Sequence, residues 1–335
     1  MIYSKSSGVN DSVFGKSQEP IKMYLERLEE SFEAQSMLNK IYYMDKTNQF
    51  GEKYSQETSL GDFLPVGENG EYPRTSMQVG FEKFIEPEEW KLQFAISQTM
   101  IEDGKLGKAV KKRGQNFMRS HHRTREKFGA ELLRSGISTS MTFGNKKFDV
   151  TGADGKPFFA VDHPSKTLGN KLSQSNRFDE VFSYDALAYV EEAMQKFKDD
   201  DGNLLNINPQ TIIIPNNARI KKVVFEVLNA EGKPGGDFND GNYVFGRWNV
   251  LVWNYLQNPT GLTAGTDWWI VADLDANEML EALVWLDRIQ LSVRSWIDNN
   301  NDANVFNGRS RYGAAPNNWR AFAACTPGTG TKLTV

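Results

Sequence analysis

His121, His122 and His163, the lone Cys325 and the acidic turn Asp199-Asp200-Asp201-Gly202 are the side chains of this chain best suited to chemistry. Each falls short of the pattern its chemistry needs. A zinc protease helix requires H-E-x-x-H, a phosphate-binding loop G-x-x-x-x-G-K-[ST], and a dinucleotide site G-x-G-x-x-G after a strand; none occurs. Asp162-His163-Pro164 sets a carboxylate beside an imidazole, but adjacent residues rarely orient one another as base and partner, and no G-x-S-x-G elbow supplies a nucleophile. A turn or structural hydrogen bond is the expectation for His163. With Gly202 as the sixth residue of a calcium loop, the first ligand would be Phe197 and the twelfth Asn208, where a bidentate glutamate is needed. That segment reads as a solvated turn. A single cysteine forbids an internal disulfide and a multi-cysteine zinc site, suits a reducing compartment, and in Ala321-Phe322-Ala323-Ala324-Cys325 reads as one more small apolar residue. No catalytic residue, cofactor site or metal site is expected, and the chain does not read as an enzyme.

Charge gives a sharper signal than catalysis. The formal net charge is only -4, yet the span from Lys105 to Lys127 holds nine basic residues against one acid, Glu126. Lys105, Lys108, Lys111, Lys112, Arg119 and Arg123 are candidates for a face turned towards a polyanion; the competing reading is a solvated face balanced by neighbouring carboxylates. No base-reading motif accompanies the run, so any contact with nucleic acid would be salt-dependent backbone attraction.

The basic run lies on a helix expected from about residue 103 to 135, whose inner face carries Leu106, Val110, Gly114, Phe117, His121, Phe128 and Leu132 and which Gly136 would stop. On this reading His121 is a core histidine. Before it, Trp90, Leu92, Phe94 and Ile96 alternate with polar residues as in a strand with one buried face. Residues 1–17 read as a loose arm, and Ile21, Tyr24, Leu25, Leu28 and Phe32 as the apolar face of a helix ending near 42–46. The glycine-punctuated segment 47–82 reads as two thin strands joined by a tip, too long an excursion to be an ordinary loop. After residue 182 an α/β pattern follows. Ser183 caps a helix with Leu187, Val190, Met194 and Phe197 inward; Thr211–Pro215 is a short buried strand; Asn216 or Asn217 opens a helix facing inward through Ile220, Val223, Val224, Val227 and Leu228. A glycine-rich loop at 232–241 precedes strands at 248–253, 268–272 and 283–297, an asparagine-rich bridge at 298–307 and a last strand near 319–324. The N-terminus lacks an apolar signal core and no run approaches eighteen uncharged apolar residues, so a soluble protein is expected.

The strings EEWKLQFAISQTMIEDG at 88–104, FFAVDHP at 158–164, GNLLNINPQTIIIPNN at 202–217 and RSRYGAAPNNWRAF at 309–322 carry a resemblance. In their order and spacing they make the chain resemble the major head subunits of tailed bacteriophages, specifically the major head subunit family of Mu-like phages, with the HK97-type shell fold. The resemblance implies an α+β architecture: an N-terminal arm at 1–46, an extended β-hairpin loop at 47–87, a peripheral domain at 88–182 built on the spine helix 103–135, an axial α/β domain at 183–310, and a return with a C-terminal tail at 311–335. It implies self-assembly into hexamers and pentamers forming an icosahedral or prolate head shell around double-stranded DNA, in a virion assembled in the host cytoplasm. A portal, a decoration protein and a scaffolding protein are the implied partners; because the arm begins near Met1, scaffolding is expected from a separate chain. Lys53, Phe63, Glu68, Tyr72 and Arg74 would be intersubunit residues of the loop. Lys53 could stand where some relatives form a covalent cross-link, but no partner is singled out, and non-covalent locking is the default. The alternatives are an encapsulin-type nanocompartment shell and another self-assembling phage component, such as a tail-tube or decoration protein.

Overall fold

The computed structural model describes residues 31–57, 63–67, 70–74, 79–97, 99, 106–233, 241–298, 300 and 302–333. Most of the helix expected from Ile21 lies outside these residues. Its expected end does not hold: after a helical turn at 31–33 the chain bends, forms a one-turn helix α1 (Leu38–Ile41), and becomes strand β1 (Tyr43–Lys46). β1 is fixed by a distant partner that periodicity cannot see, running parallel to β13 (Leu283–Asp298) with Tyr43 opposite Val284.

Strands β2 (Glu52–Glu57) and β3 (Val79–Ile85) pair antiparallel, as the two thin strands of the excursion should. Strand β4 (Glu88–Ile96) then leads towards helix α2 (Leu106–Arg134), 29 residues long and so roughly 43 Å from end to end. Leu92 departs from the expected buried face and is exposed, whereas Ile96 is buried. The helix passes into a 3-10 turn at Ser135–Ile137. Gly136 acts there through its size: it is not left-handed, an added Cβ would lie 2.9 Å from the Phe159 ring, and the backbone N–H of Phe159 donates to the Gly136 carbonyl at 2.8 Å.

Small hairpins follow, β5 (Ser140–Phe143) with β6 (Lys146–Asp149) and β7 (His163–Ser165) with β8 (Gly169–Gln174), before β9 (Arg177–Phe178). Helix α3 (Tyr184–Gln195) starts as expected, Ser183 accepting the Ala186 N–H, and it buries Leu187, Val190 and Met194. Gly202, at φ +94°, takes the left-handed turn that few other residues tolerate. Strand β10 (Thr211–Pro215) is buried throughout, and helix α4 (Ala218–Asn229) follows Asn217. Val223, expected inside, is on the exposed side of α4. β11 (Asn249–Trp253), β12 (Trp269–Ala272) and a short helix α5 (Leu274–Met279) lead to β13. The asparagine-rich bridge is shorter than expected. Strand β14 (Ala303–Pro316) already begins opposite Asp298, so Asn304 and Asn307 are strand residues. Trp319 and Arg320 lie in a turn, and the last strand, β15, is Phe322–Cys325.

Two sheets organise the chain. One runs β1-β13-β14-β4, the other β11-β10-β12-β15-β9. The mixed α+β fold is therefore a long helix set against several sheets, and residue 310, where the axial segment was expected to end, lies within β14. The near half of α2 covers the four-stranded sheet through Phe117, which meets Phe94 and packs so closely on Gly308 that an added Cβ would overlap its ring. The far half, with Phe128, Leu132 and Leu133, enters the main core shared with the five-stranded sheet.

Candidate functional site

The hairpin β2–β3 is pinned at its base and bare at its tip. Near the base, Tyr54 is buried with Ile85, Val284, Leu286 and Ala315, and its hydroxyl donates to Asp45 at 2.6 Å. Burial, then that hydrogen bond and the Asp45 charge, push the Tyr54 phenol far up. Gln56 Nε2 donates to the Asn317 carbonyl at 2.7 Å, Lys166 Nζ to the Gly80 carbonyl at 2.8 Å, and Lys83 pairs with Asp149 at 2.7 Å. Beyond these ties the described tip residues 63–67 and 70–74 are all exposed, with Phe63 at 105% and Tyr72 at 93% of full accessibility. Leu64 and Val66 are exposed beside them. Of the five loop residues expected to matter, Phe63, Tyr72 and Arg74 are on this bare tip. Glu68 lies outside the described residues, and Lys53 sits in β2 with its ammonium 2.6 Å from Glu82. An exposed lysine already paired across the hairpin needs no further partner to explain it.

Helix α2 divides its charges between surface and interior. Lys112, Arg119, Arg123 and Lys127 are exposed along one side. Arg113 is also exposed, with Nη1 donating to the Ala95 carbonyl at 2.5 Å. Lys105 lies outside the described residues, as do the side chains of Lys108 and Lys111. Arg125 belongs to the interior: its guanidinium donates to Asp287 at 3.0 Å and lies 5.2 Å from the Trp285 ring and 5.4 Å from Tyr312. Glu126, the lone acid of the run, is buried too. One carboxylate oxygen accepts from Ser36 Oγ at 2.6 Å and from the Met37 N–H at 3.0 Å; the other accepts from Trp253 Nε1 at 2.7 Å. A buried charge persists when it is paired or fully hydrogen-bonded, and both residues meet that condition. The sequence held a signal for Arg125, which is four residues after His121 and three before Phe128 and so shares their face. Nothing local marked Glu126.

The histidines are structural in their surroundings. His163 is buried, Nδ1 2.6 Å from Asp154 and Nε2 3.0 Å from Asn176 Oδ1, with its ring stacked on Trp319 at 4.4 Å. Asp162, its neighbour in sequence, instead binds Lys156. His121 lies against β14, Nε2 3.3 Å from Ser310 Oγ. His122 stacks on Phe32 at 5.4 Å. Asp199 accepts the N–H groups of Asp201 and Asn203, as a tight turn requires, but the turn is not solvated as expected: Asp199 and Asp200 are buried, and Asp200 pairs with Arg320 at 2.9 Å. Cys325 is buried, and burial followed by the Glu180 charge pushes its thiol well up, away from the reactive thiolate. Among the described residues no cluster of three or more His, Cys, Asp or Glu is arranged to hold a metal, and no helix is long and apolar enough to cross a membrane. What the arrangement offers is surface: a bare aromatic hairpin tip and a basic helix side.

A family model described as "Phage capsid protein" matches residues 80–325. No curated protein matches the chain. Among solved structures, one titled "Gordonia phage Cozz" has 11% identity and a TM-score of 0.50, covering 88% of this chain and 87% of that one, which shows a shared fold. A virus-like particle from Pyrococcus furiosus gives 12% identity and a TM-score of 0.49, covering 92% of this chain and 98% of that one. The procapsid of bacteriophage JBD30 gives 14% identity and a TM-score of 0.46, covering 92% and 74%. The matching family is the broader capsid family; the Mu-like assignment is narrower than the match.

Proposed function

The chain belongs to the phage capsid protein family, and from that premise we propose that it is the major shell subunit of a tailed-phage head, assembling as hexamers and pentamers around double-stranded DNA. The observation that carries the reading is the hairpin. A tip with Phe63, Leu64, Val66 and Tyr72 all in solvent is out of keeping with an isolated monomer, whereas another copy lying beneath it would cover these side chains. The ties of Gln56, Lys83 and Lys166 hold the hairpin base to its own subunit, so the tip is presented rather than left to collapse.

Within this proposal the earlier divisions keep their roles: residues 1–46 as arm, 47–87 as extended loop, 88–182 as peripheral, 183–310 as axial and 311–335 as return. The pairing of β13 and β14 with β4 supports counting those two strands with the peripheral part. The exposed side of α2 is assigned to the genome, and the narrower kinship with Mu-like head subunits rests on the four strings that suggested it. A separate scaffold, a portal and a decoration protein are the proposed partners, and the virion, assembled in the host cytoplasm, the proposed location.

The test is co-expression with candidate scaffolding proteins, followed by cryo-electron microscopy of the particles and analysis of their contents. Closed shells of hexamers and pentamers able to hold duplex DNA support the proposal. Small shells filled with an enzyme cargo would replace it with a nanocompartment, and a compact monomer under every condition would overturn it.

A further inference from the structure

Residues 31–42 do not simply lead into the fold; they are seated on the middle of α2. Phe32 stacks on His122, Ser36 and the Met37 N–H bind Glu126, and the Tyr42 hydroxyl donates to the Gly129 carbonyl at 2.8 Å. Leu38 fills the space that a side chain at 129 would occupy. Between this segment and the helix runs a narrow cleft, with Phe32, Glu33 and Ser36 on one side and His121, His122 and Arg125 on the other. Two of the chain's three histidines therefore stand at one seam, next to a buried arginine.

The charges around that seam are unequal. On the helix itself Arg125 and Glu126 flank the histidines, one turn further along. Asp287 of β13 is engaged by Arg125, and Glu126 is already bound by Ser36, Met37 and Trp253. From β14 come the neutral groups Ser310 and Tyr312, the latter edge-on to His121 with ring centroids 6.5 Å apart. The seated segment contributes one carboxylate, Glu33, which is exposed at the rim.

We propose that His121 and His122 make the seat of residues 31–42 an acid-sensitive latch, closed while both rings are neutral and loosened when they gain protons beside Arg125. The geometry sets the direction. A proton on His121 would place a second cation one helical turn from Arg125, in a cleft with room for little water, where Asp287 and Glu126 already hold other partners and Glu33 lies out at the exposed rim. Burial, then the Arg125 charge, hold His121 down at about 3; burial also lowers His122, where the Glu126 and Glu33 charges oppose it in part and the Arg125 charge adds to it. A histidine depressed in the folded state contributes stability that is fully present above its unfolded value of about 6.5 and is lost as pH falls towards the folded one. The window for release is thus mildly acidic to acidic. The inference stands on the seam's geometry and not on shell formation, so it is tested on unassembled protein.

Hydrogen exchange of the full chain, followed by mass spectrometry at about pH 7.5 and about pH 4.5 and corrected for intrinsic rates, reads the latch directly. The expected result is a rise of about tenfold or more in the opening of residues 31–42, with peptides from β10 and β12 unchanged. The His121→Gln, His122→Gln variant keeps a hydrogen-bonding group at each position without the proton and should show no selective rise. An equal rise in that variant, or none in the natural protein, overturns the proposal. Should the double variant fold poorly, ring nitrogen shifts of the natural protein decide instead. They must show the His121 and His122 rings of the closed state titrating below the ordinary histidine value of about 6.5, with exchange of residues 31–42 rising as pH falls through that value; rings that titrate at or above it are fatal to the idea.

Discussion

The indole nitrogen of Trp253 and the carboxylate of Glu126 meet at 2.7 Å, a buried bond that ties the five-stranded sheet to the middle of α2. Because the same carboxylate holds Ser36 and Met37, one side chain joins sheet, helix and the segment crossing them. Replacing Glu126 by Ala should cost about 3 kcal/mol, since three donors, two of them buried and one partly buried, lose their acceptor at once. Gln, which retains one acceptor oxygen, should cost less. Urea unfolding of the two variants followed by tryptophan fluorescence checks the order.

Arg125 and Asp287 offer a contrasting case. Asp287→Asn leaves the guanidinium between Trp285 and Tyr312 without its counter-charge, a loss of roughly 3 kcal/mol. Replacing the pair together, Arg125→Met with Asp287→Leu, should restore much of that stability, because the desolvation of both charges disappears with them. A double-mutant cycle measures the coupling; strict additivity would show that the pair does not act as a unit.

Gly308 is where α2 lies closest to the four-stranded sheet. Gly308→Ala pushes a methyl into Phe117 and should destabilise by about 1–3 kcal/mol, whereas Phe117→Leu in the same chain makes room and should recover part of the loss. Thermal melts of the single and double variants give the comparison.

Shortening the hairpin separates folding from assembly. Replacing residues 58–78 by an Asn-Gly turn leaves Tyr54, Gln56, Gly80 and Lys83 to hold the base, so circular dichroism and melting temperature should be nearly unchanged. Shells seen by negative-stain microscopy should be lost or fall apart readily. Intact shells of ordinary stability would remove the tip from the interface.

The exposed basic side of α2 makes a graded prediction. Changing Lys112, Arg119 and Arg123 to Glu touches no buried partner, and empty shells should still form. Binding of duplex DNA by isolated capsomers should weaken, and its salt dependence should flatten by about one unit of slope for each phosphate contact removed. Normal DNA binding, or failure to form empty shells, would reassign this face to solvent or to protein contacts.

The sequence by itself determined what local spacing can determine. The Leu187–Val190–Met194 stripe, the Ser183 cap, the apolar run at 211–215, the two thin strands of the excursion and the presence of a long helix at α2 all follow from rules acting over a few residues, and each is found in place. The exclusion of motif-based chemistry also needed only the sequence. Only the tertiary structure decided the rest, because it depends on partners far along the chain. β1 was hidden inside a helical reading, since its partner Val284 is more than two hundred residues away. β13 and β14 read as strands but carried no mark of which sheet they join; their register with β4 fixes that. The basic run looked uniform because charge is counted without regard to burial. Asp287 draws Arg125 inside, and Ser36, Met37 and Trp253 do the same for Glu126. A charge leaves water only where distant groups can satisfy it, and those groups become neighbours only when the chain folds.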